Sequence, residues 1–508
     1  MKKHFLLIIF LVFYLTLSLI THKNYGITWD EQAVYERGKM LYRHLIDPNH
    51  KSVNDLLNRD SVDDVWPTYY SGYSMILFSL NQNQSYDLYH LYNLIFGSVI
   101  FIAAYFFIYL KYKNSFYAIL GPLFILLNPR FSGDIAGNPK DMSFAVMYFI
   151  SVTAIYLTSK YVNVLPRILI LGFLFSFTQG LRTIGFGVYL IFIIFELYIN
   201  REKLIIKKGF NFVEFKKFLV KIIPTILLIF IVANFFMAIS WPYIGGNYFK
   251  HLTDVFRTAS LFPWSGNVFF LGKYFHSLDL PLTYLPVLLL VSLPVFIIIS
   301  SLGSLFLIKK HIAKNEVFFL VFTVLVINFI FYFTVNPVVY NGLRHFLFIL
   351  PFFSLLSVIF IIEVIKNSHP LKKFFIIFIT INCLFVIISI TKIFPYQYLY
   401  FNELVGGFKG GAKNFEIDYW NASFKEGIEW LKKHELDPDI KYGIYTCSSS
   451  HSLLNYFTYN LTWAKDLDEA DYAICHTSSQ EYKNISGDIL YTVERDSVPL
   501  NYVIKINR

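Results

Sequence analysis

Two adjacent carboxylates, Asp30 and Glu31, stand in "GITWDEQAVYERGKMLYRHL", directly after the first apolar run of the chain. Side-by-side acids repel, and either would be solvated more easily elsewhere. Two readings account for the pair. Thr28-Trp29-Asp30-Glu31 has the spacing of a capping box, and acids in a first turn favour the positive end of a helix dipole. Alternatively, the pair supplies a catalytic base at the rim of a membrane-embedded site. Three further segments carry isolated charges of the kind such a site would need. "NPRFSGDIAGNPKD" holds Asp134, Lys140 and Asp141 in a turn-rich frame; "TQGLRTIG" holds Arg182; "NPVVYNGLRH" holds Tyr340, Arg344 and His345. Ionisable groups at membrane depth are costly, which makes each a functional candidate. Each also has a structural alternative. Lys140 and Asp141 could pair locally, Arg182 could snorkel to the interface, and Arg344-His345 could meet lipid headgroups.

The elements that must position these residues are set by hydropathy. Of 508 residues, 56% are hydrophobic and only 15% charged, against about 25% charged in ordinary soluble domains. Mean hydropathy is +0.51. The apolar runs fall near 5–20, 89–110, 115–127, 142–159, 166–178, 184–199, 222–240, 284–308, 316–335, 346–365 and 371–393. Most approach the ~20 residues a helix needs to cross a bilayer. The expected architecture is therefore an α-helical polytopic membrane protein of about eleven transmembrane helices. The run at 5–20 follows Lys2-Lys3 without a clear small-residue cleavage site and reads as a retained signal anchor.

Basic clusters sit at Lys2-Lys3, Lys111/Lys113, Lys160/Arg167, 201–221, Lys309/Lys310/Lys314 and Lys366/Lys372/Lys373, at every second gap between runs. The positive-inside rule places all of them, with the N-terminus, in the cytoplasm of a multi-pass plasma-membrane protein. The net charge of +10 then reflects topology and implies no nucleic-acid partner. A single helix over 166–199 would bury Arg182 at its centre and set its flanking basic clusters on opposite sides. A hairpin turning at 178–185 removes both problems.

The candidate residues all fall on the outer face in this scheme. The first outer loop, 21–88, carries an amphipathic helix near 31–45 and a weaker one near 70–80. Residues 1–393 form the membrane domain. At 394 the apolar runs give way to mixed sequence, and 394–508 reads as a small extracytoplasmic α/β domain, with a helix over 422–433 and strands near 441–446, 472–476, 490–493 and 502–505. Cys383 lies in an apolar run; Cys447 and Cys475 could pair or remain free thiols.

The order of these segments resembles the GT-C glycosyltransferases, in particular the bacterial relatives of protein O-mannosyltransferase and aminoarabinose transferase (glycosyltransferase family 39-like). The resemblance lies in "TWDE" after the first helix, "NPRFSGDIAGNPKDMSFA", "LGFLFSFTQGLRTIGFG", "YNGLRHFLFILPFF" and "FPYQYLYFNELVGGFKGGAKNFEIDYWNASFKEGIEWL". It implies an integral membrane enzyme that moves a sugar, with inversion, from a polyprenyl-phosphate donor to an extracytoplasmic hydroxyl on a glycan, lipid or protein. It implies Asp30 as base, with Glu31 raising the basicity of the pair, capping the helix or orienting the acceptor. Lys140, Arg182, Tyr340, Arg344 and His345 would meet the donor phosphate, with Asp134 and Asp141 as accessory acids. No obligatory cofactor is expected, although a divalent cation has room in the scheme. The rival readings are a transporter or flippase for lipid-linked sugars, lined by the same charges, and an O-antigen-type polymerase or ligase.

Overall fold

Phe5–Thr21 contains no charge and forms α1; it sets the pattern for the rest of the chain. The computed structural model describes residues 2–47, 70–206, 209–260, 264–306, 308, 314–366, 372–447 and 451–507. The principal helices that follow α1 are α2 (Glu31–Ile46), α3 (Gly72–Leu80), α4 (Tyr86–Tyr112), α5 (Ser115–Leu126), α6 (Pro139–Tyr161), α7 (Val164–Leu181), α8 (Gly187–Leu204), α9 (Phe212–Ser240) and α10 (Tyr248–Ser260). Then come α11 (Tyr284–Ser292), α12 (Val295–Phe306), α13 (Glu316–Val335), α14 (Leu350–Lys366), α15 (Lys372–Ile393) and, in the tail, α16 (Phe424–His434). Among the described residues, 9 helices are long and apolar enough to span a bilayer. The chain is a polytopic helical membrane protein.

Eleven straight spans were expected, and two of the eleven runs depart from that. The 284–308 run breaks into α11 and α12, bent by 118°. The cause is Pro294, which disfavours helical geometry at Leu293. The freed carbonyls at the end of α11 are taken up by the buried Asn402. Its Nδ2 donates to the carbonyls of Leu290 and Leu293, each at 2.7 Å, and its backbone N–H donates to that of Val291 at 2.8 Å. The 115–127 run forms only α5, about 18 Å long at 1.5 Å per residue, short of a ~30 Å hydrocarbon layer. It still joins the two ends of the bundle: Ser115 bonds to the Lys3 carbonyl, whereas Arg130 bonds to the Tyr398 carbonyl. Hydropathy measured the run but not the helix.

Basic residues of four of the clusters, Lys111, Lys160, Lys314 and Lys366, gather at one end; Lys309 and Lys310 lie outside the described residues. Lys111 and Lys160 reach Glu316 at 3.6 and 2.9 Å, Lys111 also donates to the Lys314 carbonyl at 3.0 Å, and Lys366 lies over the Tyr112 ring. The hairpin expected at 178–185 is present, with α7 ending at Leu181 and Arg182 in extended conformation between the two spans. The loop after α1 folds back as expected, with α2 and α3 packed together. Gly38 makes this possible, because a Cβ there would strike the Ser74 backbone. The part of the loop at 48–69 lies outside the described residues.

The tail builds a mixed sheet at the end opposite the basic clusters. A hairpin of β1 (Asn267–Phe270) and β2 (Lys273–His276) precedes it in the chain. The sheet strands are β3 (Tyr442–Thr446), β4 (Leu461–Trp463), β5 (Tyr472–His476), β6 (Gly487–Arg495) and β7 (Val498–Ile506), in the order β4-β3-β5-β7-β6. β3 pairs parallel with β4 and β5, and β7 pairs antiparallel with β5 and β6. α16 buries Phe424, Ile428 and Leu431 against the sheet. Cys447 and Cys475 form a disulfide joining the ends of β3 and β5, and Cys383 is free. Residues Tyr396 to Ala422 pack instead into the apolar core of the helix bundle.

Candidate active site

Arg344 is the hub. It follows a turn in which Asn341 and Gly342 both take left-handed φ, of 55° and 67°, so the chain reverses within a few residues before the next span begins. The Arg344 side chain is buried, with 4% exposure. Its Nη2 donates to Asp30 Oδ2 at 2.5 Å and its Nε to Asp141 Oδ2 at 3.1 Å. The guanidinium lies 4.3 Å from the centre of the Trp420 indole and 5.5 Å from that of Tyr340. Asp141 occupies the first turn of α6, where its backbone N–H is capped by Asn138 Oδ1 at 3.0 Å. Its other carboxylate oxygen pairs with Arg182. A continuous chain of charge thus runs Asp30, Arg344, Asp141, Arg182, drawn from four separate segments of sequence.

The neighbours Asp30 and Glu31 have different surroundings. Asp30 is the N-cap residue of α2, and about one-fifth of its side chain is exposed. Burial alone would raise its pKa, but the charges of Arg344, Lys140 and Arg37 hold it at about 2. It is a carboxylate at any physiological pH. Glu31 is wholly buried. Its Oε2 accepts from the Thr28 N–H at 2.6 Å, and its Oε1 accepts from the Tyr35 hydroxyl at 3.2 Å and lies 2.9 Å from His90 Nε2. Thr28 in turn donates its hydroxyl to the Gly137 carbonyl at 2.6 Å. The expected capping box does not form, because α2 begins at Glu31 with Asp30 as its N-cap; the Glu31 carboxylate instead ties the preceding turn, through Thr28, to the loop that bears Asp141. The two acids expected to act as a pair therefore have separate surroundings: Asp30 meets Arg344, and Glu31 meets Thr28, Tyr35 and His90.

Beside this chain of charge lies a cavity of about 160 Å³. Lys140, Arg182, Tyr340 and His345 supply its polar wall; Leu181, Val255 and Phe331 supply part of its apolar wall. Tyr340 is stacked on Trp264 at 4.1 Å, and the His345 ring meets its edge at 4.6 Å, so the wall is fixed by ring packing. Lys140 also lines a smaller adjoining cavity with Arg37 and Tyr70. Arg182 and Arg344 are balanced by Asp141 and Asp30, and Lys140 stands beside them on the cavity wall.

Asp134 stands behind this front. It accepts from Trp420 Nε1 at 3.1 Å and from Asn138 Nδ2 at 3.3 Å. Burial pushes its carboxyl up to about 6, against the pull of Arg130. It acts as a brace for Asn138 and Trp420. Two residues that sequence reasoning did not single out complete the site. Trp420 covers one face of Arg344. Arg130, buried and bonded to the Tyr398 carbonyl, underlies the turn at Gly342, where a Cβ would collide with its guanidinium. The sign of Arg130 in sequence was a second cation, beside Lys140, in the 128–141 loop that already held Asp134, Lys140 and Asp141. Trp420 had no such sign.

No protein-family model matches the sequence, and no characterised protein matches it at the sequence level. Solved structures are similar in fold. ArnT from Cupriavidus metallidurans, bound to undecaprenyl phosphate, is 10% identical over 97% of this chain and 97% of its own, with a TM-score of 0.48. The oligosaccharyltransferase AglB from Archaeoglobus fulgidus, in complex with an inhibitory peptide and a dolichol-phosphate, is 10% identical over 95% of this chain and 70% of its own, with a TM-score of 0.45. The Archaeoglobus enzyme tethered to an acceptor peptide gives 11% identity, the same coverage and the same TM-score.

Proposed function

We propose that this protein is an integral membrane glycosyltransferase that moves a sugar from a polyprenyl-phosphate donor to a hydroxyl acceptor, inverting the anomeric centre. The observation that carries the reading is the ion pair of Asp30 with Arg344 beside a cation-lined cavity. The reaction needs two things: a base for the acceptor hydroxyl, and fixed cations for the departing phosphate. Asp30 is a carboxylate that is only partly covered. Arg344 and Arg182 present planar forks that match phosphate oxygens, and Lys140 adds a point charge.

In the resting site the Asp30 carboxylate occupies the position on Arg344 that a phosphate would claim. When the donor phosphate engages Arg344, Asp30 loses its strongest partner and its basicity rises. It then takes the proton of the acceptor hydroxyl as that oxygen attacks the anomeric carbon. The bond to the phosphate oxygen breaks on the opposite face, and the charge that develops there falls on Arg344, Arg182 and Lys140. Such cations need little rearrangement during the step. Asp141 holds Arg182 and Arg344 at a fixed spacing, and Tyr340 and His345 offer hydrogen bonds from the cavity wall. The apolar wall suits the first isoprene units of the donor.

The basic clusters at the far end orient the protein by the positive-inside rule. The N-terminus is then cytoplasmic, and the site and the 394–508 domain face outward. The acceptor is a glycan, a lipid or a protein of the cell envelope. Mass spectrometry of glycans and glycolipids from a deletion strain should reveal a structure lacking one sugar, restored by the wild-type chain and not by Asp30→Asn. Restoration by Asp30→Asn would remove the base from the mechanism. It would favour a carrier that moves lipid-linked sugars without chemistry.

A further inference from the structure

A second cavity, also of about 160 Å³, lies far from the site, where α7 and α9 begin and α8 ends. Arg167, Glu196, Asn200, Lys203, Glu214, Lys217 and Lys221 supply its polar lining, with Leu204, Phe218 and Ile222 completing it. Four cations face two acids. Arg167 is buried within the apolar bundle, with 7% side-chain exposure. Glu196 Oε1 accepts from its Nη1 at 2.8 Å, and its guanidinium rests 5.6 Å from the Phe192 ring centre. Among the described residues, its buried Nε has no hydrogen-bond acceptor. A buried guanidinium N–H without an acceptor is costly, and an anionic oxygen in the cavity would satisfy it. Lys217 is held by Glu214 at 2.6 Å, while Lys203 and Lys221 are exposed at the rim.

The surroundings identify the source of that oxygen. Leu165 and Leu169 on α7, and Val220 and Ile223 on α9, leave at least half of their surface exposed. They flank the cavity on the face that would meet acyl chains. The cavity also lies on the side of the basic clusters, since Tyr198 on α8 stacks at 3.8 Å on Phe319, one turn from Glu316. Basic pockets between spans at this level are suited to lipid phosphates. We propose that this cavity binds the phosphate of an anionic phospholipid in the leaflet opposite the catalytic site. Arg167 contacts the phosphate from beneath, Lys203 and Lys221 close over it, and the acyl chains run down the face of α7 and α9. Three helices are clamped by one headgroup, and α7 and α8 are the two helices joined at Arg182.

The test is native mass spectrometry and thermal unfolding of the full chain in neutral detergent. Phosphatidylglycerol, phosphatidylcholine and inorganic phosphate serve as separate probes. The wild type should retain phosphatidylglycerol and melt higher with it, and show neither effect with phosphatidylcholine. The K203A/K217A/K221A variant should bind phosphatidylglycerol roughly a hundredfold more weakly, whereas K203R/K217R/K221R should bind nearly as the wild type does. Equal stabilisation by phosphatidylcholine, or equal retention by the alanine variant, would overturn the proposal. Stabilisation by inorganic phosphate without any by phosphatidylglycerol would overturn the lipid assignment in favour of a soluble anion. Should the alanine variant fail to fold, the single variants K203A and K221A, each expected to weaken phosphatidylglycerol binding about fivefold, locate the lipid; unchanged binding by both would overturn the assignment to this cavity.

Discussion

Asp30 and Glu31 are adjacent in the chain and belong to different regions of the molecule. One faces a guanidinium beside a cavity and retains some contact with solvent; the other is sealed against Thr28, Tyr35 and His90. The difference is geometric. Successive side chains at a helix start point about 100° apart, so two neighbours meet different surroundings. The two carboxyl groups are thus divided between a cation-rich cleft and a sealed interior. Sequence adjacency is a poor guide to shared function where a helix begins.

Substitutions should separate the two regions by opposite signatures. Asp30→Asn should reduce transfer per folded molecule by about 10²–10⁴-fold, beyond whatever melting temperature it loses with the Arg344 pair, measured on the reconstituted chain with a polyprenyl-phosphate sugar. A loss of transfer matched by a loss of folded protein would erase the distinction from Glu31. Arg344→Ala should lower transfer by about 10²–10³-fold. It should also weaken donor binding and destabilise the fold, because Asp141 then loses one of its two cations. Glu31→Gln should do the reverse of Asp30→Asn. It should cost about 1.5–3 kcal/mol of stability, read by thermal unfolding, while the protein that remains folded turns over at close to the wild-type rate.

Two smaller effects test the brace behind the basin. Trp420→Phe keeps a ring on Arg344 but removes the hydrogen bond to Asp134, and should cost about 1 kcal/mol, seen as a raised KM more than a lowered kcat. Asp134 itself gives a pH signature. Its carboxyl titrates near 6 in the folded chain and near 4 when unfolded. Between those values the native state holds a proton that the unfolded chain has released. Its contribution to stability therefore declines as pH rises from about 4 to 6 and is level above. The melting temperature of Asp134→Asn should lack that part of the decline.

Much of the site was legible because charge is rare in this chain. Each of Lys140, Asp141, Arg182 and Arg344 stood out as an ionisable residue between apolar runs, and the structure brings all four together with Asp30. Trp420 was not legible. Aromatic residues are abundant here, and one at the head of a mixed segment has neither periodicity nor charge to mark it. The division of labour between Asp30 and Glu31 depended on helix phase at the level of a single residue. Among the spans, hydropathy located all eleven runs. It could not register the bend at Pro294, since Asn402, which takes up the freed carbonyls, comes more than a hundred residues later. In the tail, the strand over Leu461–Trp463 was missed because it is short and has two of its three side chains exposed.

The resting pair of Asp30 and Arg344 has a consequence for idle turnover. Water is everywhere at this face of the membrane, and an unoccupied general base would activate it against any sugar phosphoester within reach. Clamped by a guanidinium, with its pKa near 2, Asp30 is too weak to do so. On the proposed mechanism the donor's own negative charge, brought to Arg344, arms the carboxylate, so the pair would keep the base idle only while no donor is bound, and water's access to the cavity would set the hydrolysis of bound donor.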